Sequence, residues 1–578
     1  MRKAIVFAAL AAVLVPAHAG AQSTTELAPG VTYTRDVKSI GARRVVSHVI
    51  TAPAPGGLYD VRPVLSNDLL IGRETVSAMQ RRLTGRATLA GVNGDLFSWT
   101  IGNPSGIYLR DGVLWARPQG QRSVLGFGLD GLFRVGKVRF FGSWQVAGYP
   151  AHPVFQFNRP LDVDRDLGVF TRAWGPRTPR ARGGIEVVLA NLPATVPNTP
   201  LQSQITAIRA RTGGPIPPGG AVIQARKYWR IGLLAEAAVG RQITLNLKLK
   251  PWWNGAVSDA IGGGPLLVRD GQPVFSAGEE FSRAQLRPRH PRTAVGQMPD
   301  GRILLVAFDG RGAAGSAGLS NAHLAAEMAR LGAQTAMALD AGGSTTIAFD
   351  GKVLNTPSDG RERPVANSVM VFYYGAYARP PRFASFSPNG DGIREVQRLA
   401  VKVVRPSQLD AKIIRPNGEI AWQFQGPVNP TTVKKSLGGA GLEEGVWQWV
   451  VRAVDHQGQE SGMTRQFTLN STLGFMRLSK KRLVVRPRRG GRLVASWRLA
   501  NTADLRVRVV NAKDRLVRRL YAQAGIAPGN YAAVWNGKNR RGKVVRAGRY
   551  TIEVRVVNAL GVDTLERTVR VRRVRRGR

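Results

Sequence analysis

The chain has 578 residues, 43% of them hydrophobic, enough for more than one buried core and too many for one ordinary domain. Zero cysteine excludes disulfides, a thiolate nucleophile and any Cys-ligated metal. Lys and Arg number 83 against 37 Asp and Glu, a formal net charge of +46 that favours a polyanionic partner, and residues 474–578 alone carry 29 basic and 5 acidic side chains, a net of +24.

In chain order, the opening "MRKAIVFAALAAVLVPAHAGAQS" sets Arg2 and Lys3 before a short apolar run and then small residues, the pattern of a signal peptide over 1–21. The expectation is a secreted chain, held at the cell surface by its basic end; no later run is apolar enough for a membrane helix. Residues 22–376 mix short β-rich runs with few helices and predict an α+β catalytic domain with mixed β-sheets. Within it, 174–251 is rich in Pro, Gly and Arg and reads as an irregular insertion. "RILLVAF" (302–308) and "TAMAL" (335–339) predict buried strands around the helix "AHLAAEMARL", with Ser320 as N-cap, Leu319 stapled to Leu324 and Gly332 as stop. "FDGK" (349–352) predicts a hairpin turn.

A proline linker at 377–383 then leads into two all-β modules, 384–471 and 474–573, and a basic tail at 574–578. Two segment pairs can be laid over each other: 409–424 on 505–520, and 443–459 on 546–562. "FSPNGDGIRE" (386–395) and "YAAVWNGKNRRGKVVRAGRYTIEV" (531–554) resemble the immunoglobulin-like repeats related to the flagellar hook-cap protein FlgD, which implies two immunoglobulin-like sandwiches. "SPNGDG" lacks a full set of acidic calcium ligands and reads as a turn, and no zinc motif occurs.

Four stretches join glycine, a polar group and flanking strands: "LAGVNGDLF" (89–97), "DAIGGGPLLVRDGQPV" (259–274), "RTAVGQMPDGRILLVAFDGR" (292–311) and "MALDAGGSTTIAF" (337–349). Each alone is consistent with bends and Asp-Gly turns. In this order and spacing they resemble the phosphodiester glycosidase family over about 31–374, with Ala341 in place of a family glycine and Asp95-Leu96 in place of Gly-Phe.

The resemblance implies cleavage of a sugar-1-phosphodiester at the anomeric C–O bond, with a glycan or sugar-phosphodiester as substrate. The leaving phosphate monoester has a second pKa of about 6 and needs little protonation. The site needs donors for developing charge and a carboxylate to attack C1 or activate water. Asp340 is the candidate carboxylate, Asp309 its partner or support, and Arg292 the planar donor fork for phosphate. Asn93, Asp95, Gly263, Gly264, Thr293, Gly342, Gly343 and Ser344 are the candidate substrate contacts, while His290 and His323 read better as surface or helix-face residues than as general acids. No cofactor and no metal site are expected, and the need for a divalent cation is left open by the sequence. The basic module suits an anionic wall polymer or a lipid surface; nucleic acid is disfavoured because aromatic stacking motifs do not interleave with the basic runs. A non-catalytic carbohydrate- or anionic-polymer-binding surface protein is the alternative reading.

Overall fold

The computed structural model describes residues 22–162, 166–251, 256–275, 278–439, 441–486 and 489–574. The leader expected over 1–21 and all but the first residue of the basic tail lie outside the described residues. The chain divides into two compact units, 1–374 and 375–578.

The first unit is built from four sheets with short helices between them. One sheet of eight strands runs, in spatial order, from Ser23–Ala28 through Val31–Ile40, Arg43–Ala52, Ile303–Phe308, Arg292–Gln297, Thr335–Ala338 and Leu266–Arg269 to Gln272–Pro273, every pair antiparallel. Its central strands are apolar on both faces, as "ILLVAF" requires, because helix Asn321–Arg330 packs Leu324, Ala325 and Met328 into the same core as Val306, Phe308 and Ala336. That helix begins as expected: the Ser320 hydroxyl accepts from the His323 N–H at 3.3 Å, Leu319 and Leu324 share one core, and Gly332 takes φ of 87° to end it.

A five-stranded sheet sets Ile347–Phe349 and Asn367–Tyr373 on either side of Thr88–Asn93. The bend after "MALD" therefore carries the chain from one sheet to another. The 349–352 hairpin is present, with Asp350 and Gly351 both at positive φ, 44° and 80°.

The expected irregular insertion is corrected by the structure. Ile185–Ala190, Pro200–Arg209, Ala221–Ala225 and Gln242–Lys250 are neighbours in a second eight-stranded sheet, and Lys227–Glu236 is a helix. Period-two alternation such as "QITLNLKLK", buried at Ile243, Leu245, Leu247 and Leu249, decides the fold here. The prolines and glycines that suggested irregularity sit mostly in the connections between strands, as in "GGPIPPGG".

The second unit repeats one plan twice. Each copy pairs a three-stranded with a five-stranded sheet, and in each a short entering strand (Ser385–Phe386, Arg482–Val485) lies parallel to the copy's last strand (Glu460–Leu469, Gly561–Arg573). The segments that overlay in sequence occupy equivalent strands. The "SPNGDG" loop is a turn: Asp391 accepts the Ile393 and Phe475 N–H groups, each at 2.8 Å, and Glu395 accepts those of Gly390 and Gly392. Its carboxylates are thus committed to backbone donors, and one of them ties the first copy to the start of the second.

Candidate active site

The bend between the two sheets is fixed by Asn93. Its amide donates to the Asp340 carbonyl at 2.8 Å and accepts from the Thr293 hydroxyl at 2.7 Å and the Thr346 N–H at 3.0 Å. Asn93 and Thr293 are fully buried, so both hold the bend and neither reaches a ligand, in contrast to the role expected for them. The Asp340 N–H donates to Gly94 and the Gly342 N–H to Pro291, which pins the bend at both ends.

Asp340 lies on the wall of a cavity of about 280 Å³, together with Leu96, Gly264, His290, Arg292, Arg311 and Asn321 among others. Among the described residues of that wall it is the one carboxylate. Burial pushes its pKa up to about 6, against the lowering effects of the Ser344 hydroxyl, the Ala341 N–H and the Arg363 guanidinium. Such a group is mostly ionised at neutral pH yet basic enough to take a proton.

The arginine assignment changes. Arg292 borders the cavity, but its Nε donates to the Leu319 carbonyl at 2.8 Å, Nη1 to Gln285 at 2.9 Å, and Nη2 to Pro288 at 3.0 Å and Leu286 at 3.4 Å. Its fork is occupied, so it holds these two segments against the site and does not grip a phosphate with two parallel bonds. Burial lowers its pKa to about 10, helped by repulsion from Arg311.

The free cation is Arg311, which is exposed, lines the cavity and has no side-chain hydrogen bond among the described residues. It lies over Gly342: a Cβ there would sit 3.0 Å from its Nη2. Arg363 covers Gly343 in the same way and reaches the Ser344 hydroxyl at 3.4 Å, its Nε and Nη2 both held by Asp359. The paired glycines are thus the space in which two guanidinium groups approach the turn beside Asp340.

Asp309 is buried and does not line the cavity. It bonds the His48 Nε2 at 3.0 Å and accepts the Thr356 N–H at 3.0 Å, while the His48 Nδ1 meets the Tyr33 hydroxyl at 2.7 Å. It supports the turn that carries Arg311 and is not a partner of Asp340. The Asp95 carboxylate turns away from the cavity to the Gly106 N–H, and burial raises its pKa to about 6. Gly263 packs against Met337 and Ala338, whereas Gly264, at φ of 108°, borders the cavity. His323 is a cap residue, bonded through Nδ1 to Ser320.

His290 does line the cavity. Burial and two neighbouring arginines lower its pKa, and its Nδ1 has no protein partner among the described residues; the Asn321 Oδ1, 2% exposed at the helix start, has none either. Among the described residues no group of acidic and histidine side chains could hold a metal ion.

Together, the β-rich domain places a small cavity, a single carboxylate and neighbouring guanidinium groups at one bend, a layout suited to hydrolytic chemistry. The family comparison is more specific: residues 198–372 match the phosphodiester glycosidase family and residues 489–559 match the FlgD Ig-like domain, so the chain carries a phosphodiester glycosidase region followed by a FlgD-type one. The SPbeta prophage-derived uncharacterized protein YomE of Bacillus subtilis (strain 168) is 35% identical over 107 residues, 18% of this chain and 16% of that protein, so the match spans about a sixth of the relative's length. A hypothetical protein from Synechocystis, known as a crystal structure, is 26% identical with a TM-score of 0.53, covering 62% of this chain and 64% of that one. The zebrafish N-acetylglucosamine-1-phosphodiester alpha-N-acetylglucosaminidase catalytic domain, auto-inhibited by its pro-peptide, is 15% identical with a TM-score of 0.34, covering 61% and 88%.

Proposed function

We propose that the first unit hydrolyses a sugar-1-phosphodiester at the anomeric C–O bond. The observation that carries this reading is the single carboxylate on a cavity wall that also holds a free arginine. Glycosidases that expel an alcohol use two carboxylates, one of them to protonate the leaving oxygen. A phosphate monoester leaves as an anion, so cations replace the acid. Asp340 attacks C1 or takes the proton of an attacking water, Arg311 holds the departing phosphate oxygens, and the Ser344 hydroxyl, fixed by Arg363, orients the carboxylate. His290 and Asn321 form part of the wall against which the sugar lies.

We further infer that the enzyme works outside the cytoplasm, kept near an anionic glycan by its C-terminal sheet. There Arg549, Arg570 and Arg482 stand side by side in one cross-strand row, exposed and without a carboxylate partner among the described residues. Like charges directly opposite destabilise a sheet unless an anion neutralises them. The test of the enzymatic reading is incubation of the purified chain with a panel of sugar-1-phosphodiesters. Release of free sugar and phosphate monoester supports it; tight binding of the same compounds without turnover would make the protein a carbohydrate-binding one instead.

A further inference from the structure

The helix Lys227–Glu236 has two apolar faces, and the core covers one of them. Its inward face is fixed beside the second eight-stranded sheet. Leu233 is fully buried in that core, Trp229 packs edge-on against Phe155 with ring centroids 5.3 Å apart, and the Glu236 carboxylate meets the His152 Nε2 at 2.6 Å. The outward face stands in solvent: Tyr228 is 75% exposed, Ile231 71% and Leu234 41%, and Val239, just past the helix, is 64% exposed. At 100° per residue, Tyr228, Ala235, Ile231 and Leu234 fill one arc of about 120°, the width of a stripe that a folded protein ordinarily buries. Cations edge this arc. The Arg230 guanidinium has no partner among the described residues, Arg241 bonds the Tyr149 hydroxyl and the Glu236 carbonyl, and Arg226 and Lys227 share one carboxylate, Asp166.

We propose that this helix docks the first unit on an anionic lipid surface, lying flat with Ile231, Leu234 and Val239 against the acyl chains, Tyr228 at the headgroup level, and Arg230 and Arg241 on lipid phosphates. Charge and area decide between occupants. A second copy of the chain would bring an equally basic rim to the contact, and these few side chains fall short of the roughly 800 Å² per partner that a stable protein interface buries. A phosphate-bearing bilayer supplies the apolar layer and the counter-charge together. An interfacial helix needs only an apolar stripe edged by Lys or Arg, and Tyr favours the boundary between acyl chains and water. The helix has 10 residues, a length of about 15 Å, so it lies in the surface and does not cross it. The net charge of +46 draws the whole chain toward such a surface at longer range. This docking holds whatever bond the first unit cleaves.

The chain has no cysteine, so a single introduced thiol can be labelled cleanly. Val239→Cys carries an environment-sensitive fluorophore on the full chain, and Leu129→Cys, also at an exposed position, carries it as the control. Each is mixed with vesicles of phosphatidylglycerol and phosphatidylcholine, or of phosphatidylcholine alone. Docking predicts brighter, blue-shifted emission at position 239 on the anionic vesicles, little change on the zwitterionic ones, and a constant signal at 129. Adding Ile231→Asp weakens the partition read at 239 by at least about tenfold and leaves the melting temperature unchanged, because the side chain removed is exposed. The basic second module can also hold the chain on these vesicles by charge alone, so sedimentation is measured on the same samples. A chain that sediments with vesicles while the label at 239 stays in water overturns the proposal. So does a shift at 239 that appears without lipid as protein concentration rises, with a dimer in analytical ultracentrifugation, which would make a second copy the occupant. Equal shifts on both kinds of vesicle overturn the anionic assignment.

Discussion

Asp340 carries a charge that its surroundings disfavour. Its carboxyl ionises near 3.9 in an unfolded chain and at about 6 in place, so the folded state binds the extra proton between those values. The stability linked to that proton is fully present below about 4 and lost as pH rises through about 6. Asp340→Asn therefore raises the melting temperature at pH 8 and has little effect at pH 4, while turnover falls at least about a hundredfold. In the parent chain, the proposed hydrolysis is expected to show kcat/KM declining about tenfold per pH unit below 6. Thermal melts at the two pH values, with rates on the same preparations, check both halves. Arg311 and Arg292 separate in the same way. Arg311→Ala melts normally and loses about a hundredfold in kcat/KM; Arg292→Ala leaves four carbonyl contacts unmade, two of them buried, and loses stability first. From sequence, Arg292 attracted the phosphate role because arginine in a glycine-rich motif suits an anion, and sequence does not show which carbonyls a folded loop brings to it. Arg311 and Arg363 were hidden in glycine-bearing turns, where an arginine reads as solvated surface.

The bend 339–346 works because strands from two sheets meet there, and its supports come from distant parts of the chain. His48, Asp309 and Thr356 lie on three separate segments, yet they close one buried network beneath the turn that carries Arg311. Asp309→Ala leaves the His48 Nε2 and the Thr356 N–H without their partner, and should cost about 3 kcal/mol in urea unfolding. His48→Gln keeps one hydrogen bond and should cost less; equal losses would argue against the network. Local patterns were legible for the helix after Ser320, the 349–352 hairpin and the duplicated β-modules, since caps, positive-φ pairs and period-two alternation are local signals. The 185–250 strands were obscured by proline-rich connections, although their alternation was present in the sequence. His48 was not legible as a partner of Asp309, because that contact spans 261 residues.

The whole chain joins a hydrolase-type unit to two β-modules, of which the second is strongly basic. The first unit has core clusters of its own, so the segment 22–376 should fold and keep its activity when the rest is deleted; an unfolded circular-dichroism spectrum would count against that division. The arginine row of the last sheet predicts that retention on an anionic glycan falls steeply between low and physiological salt and is weakened by charge reversal at Arg570. Salt-independent retention would point to other contacts. The identity of the bond that breaks is read most directly by hydrolysing a sugar-1-phosphodiester in heavy-oxygen water and locating the label by mass spectrometry. Attack at C1 places the heavy oxygen on the anomeric hydroxyl of the released sugar and none on the phosphate; label in the phosphate monoester would mean P–O cleavage and contradict the glycosidase assignment.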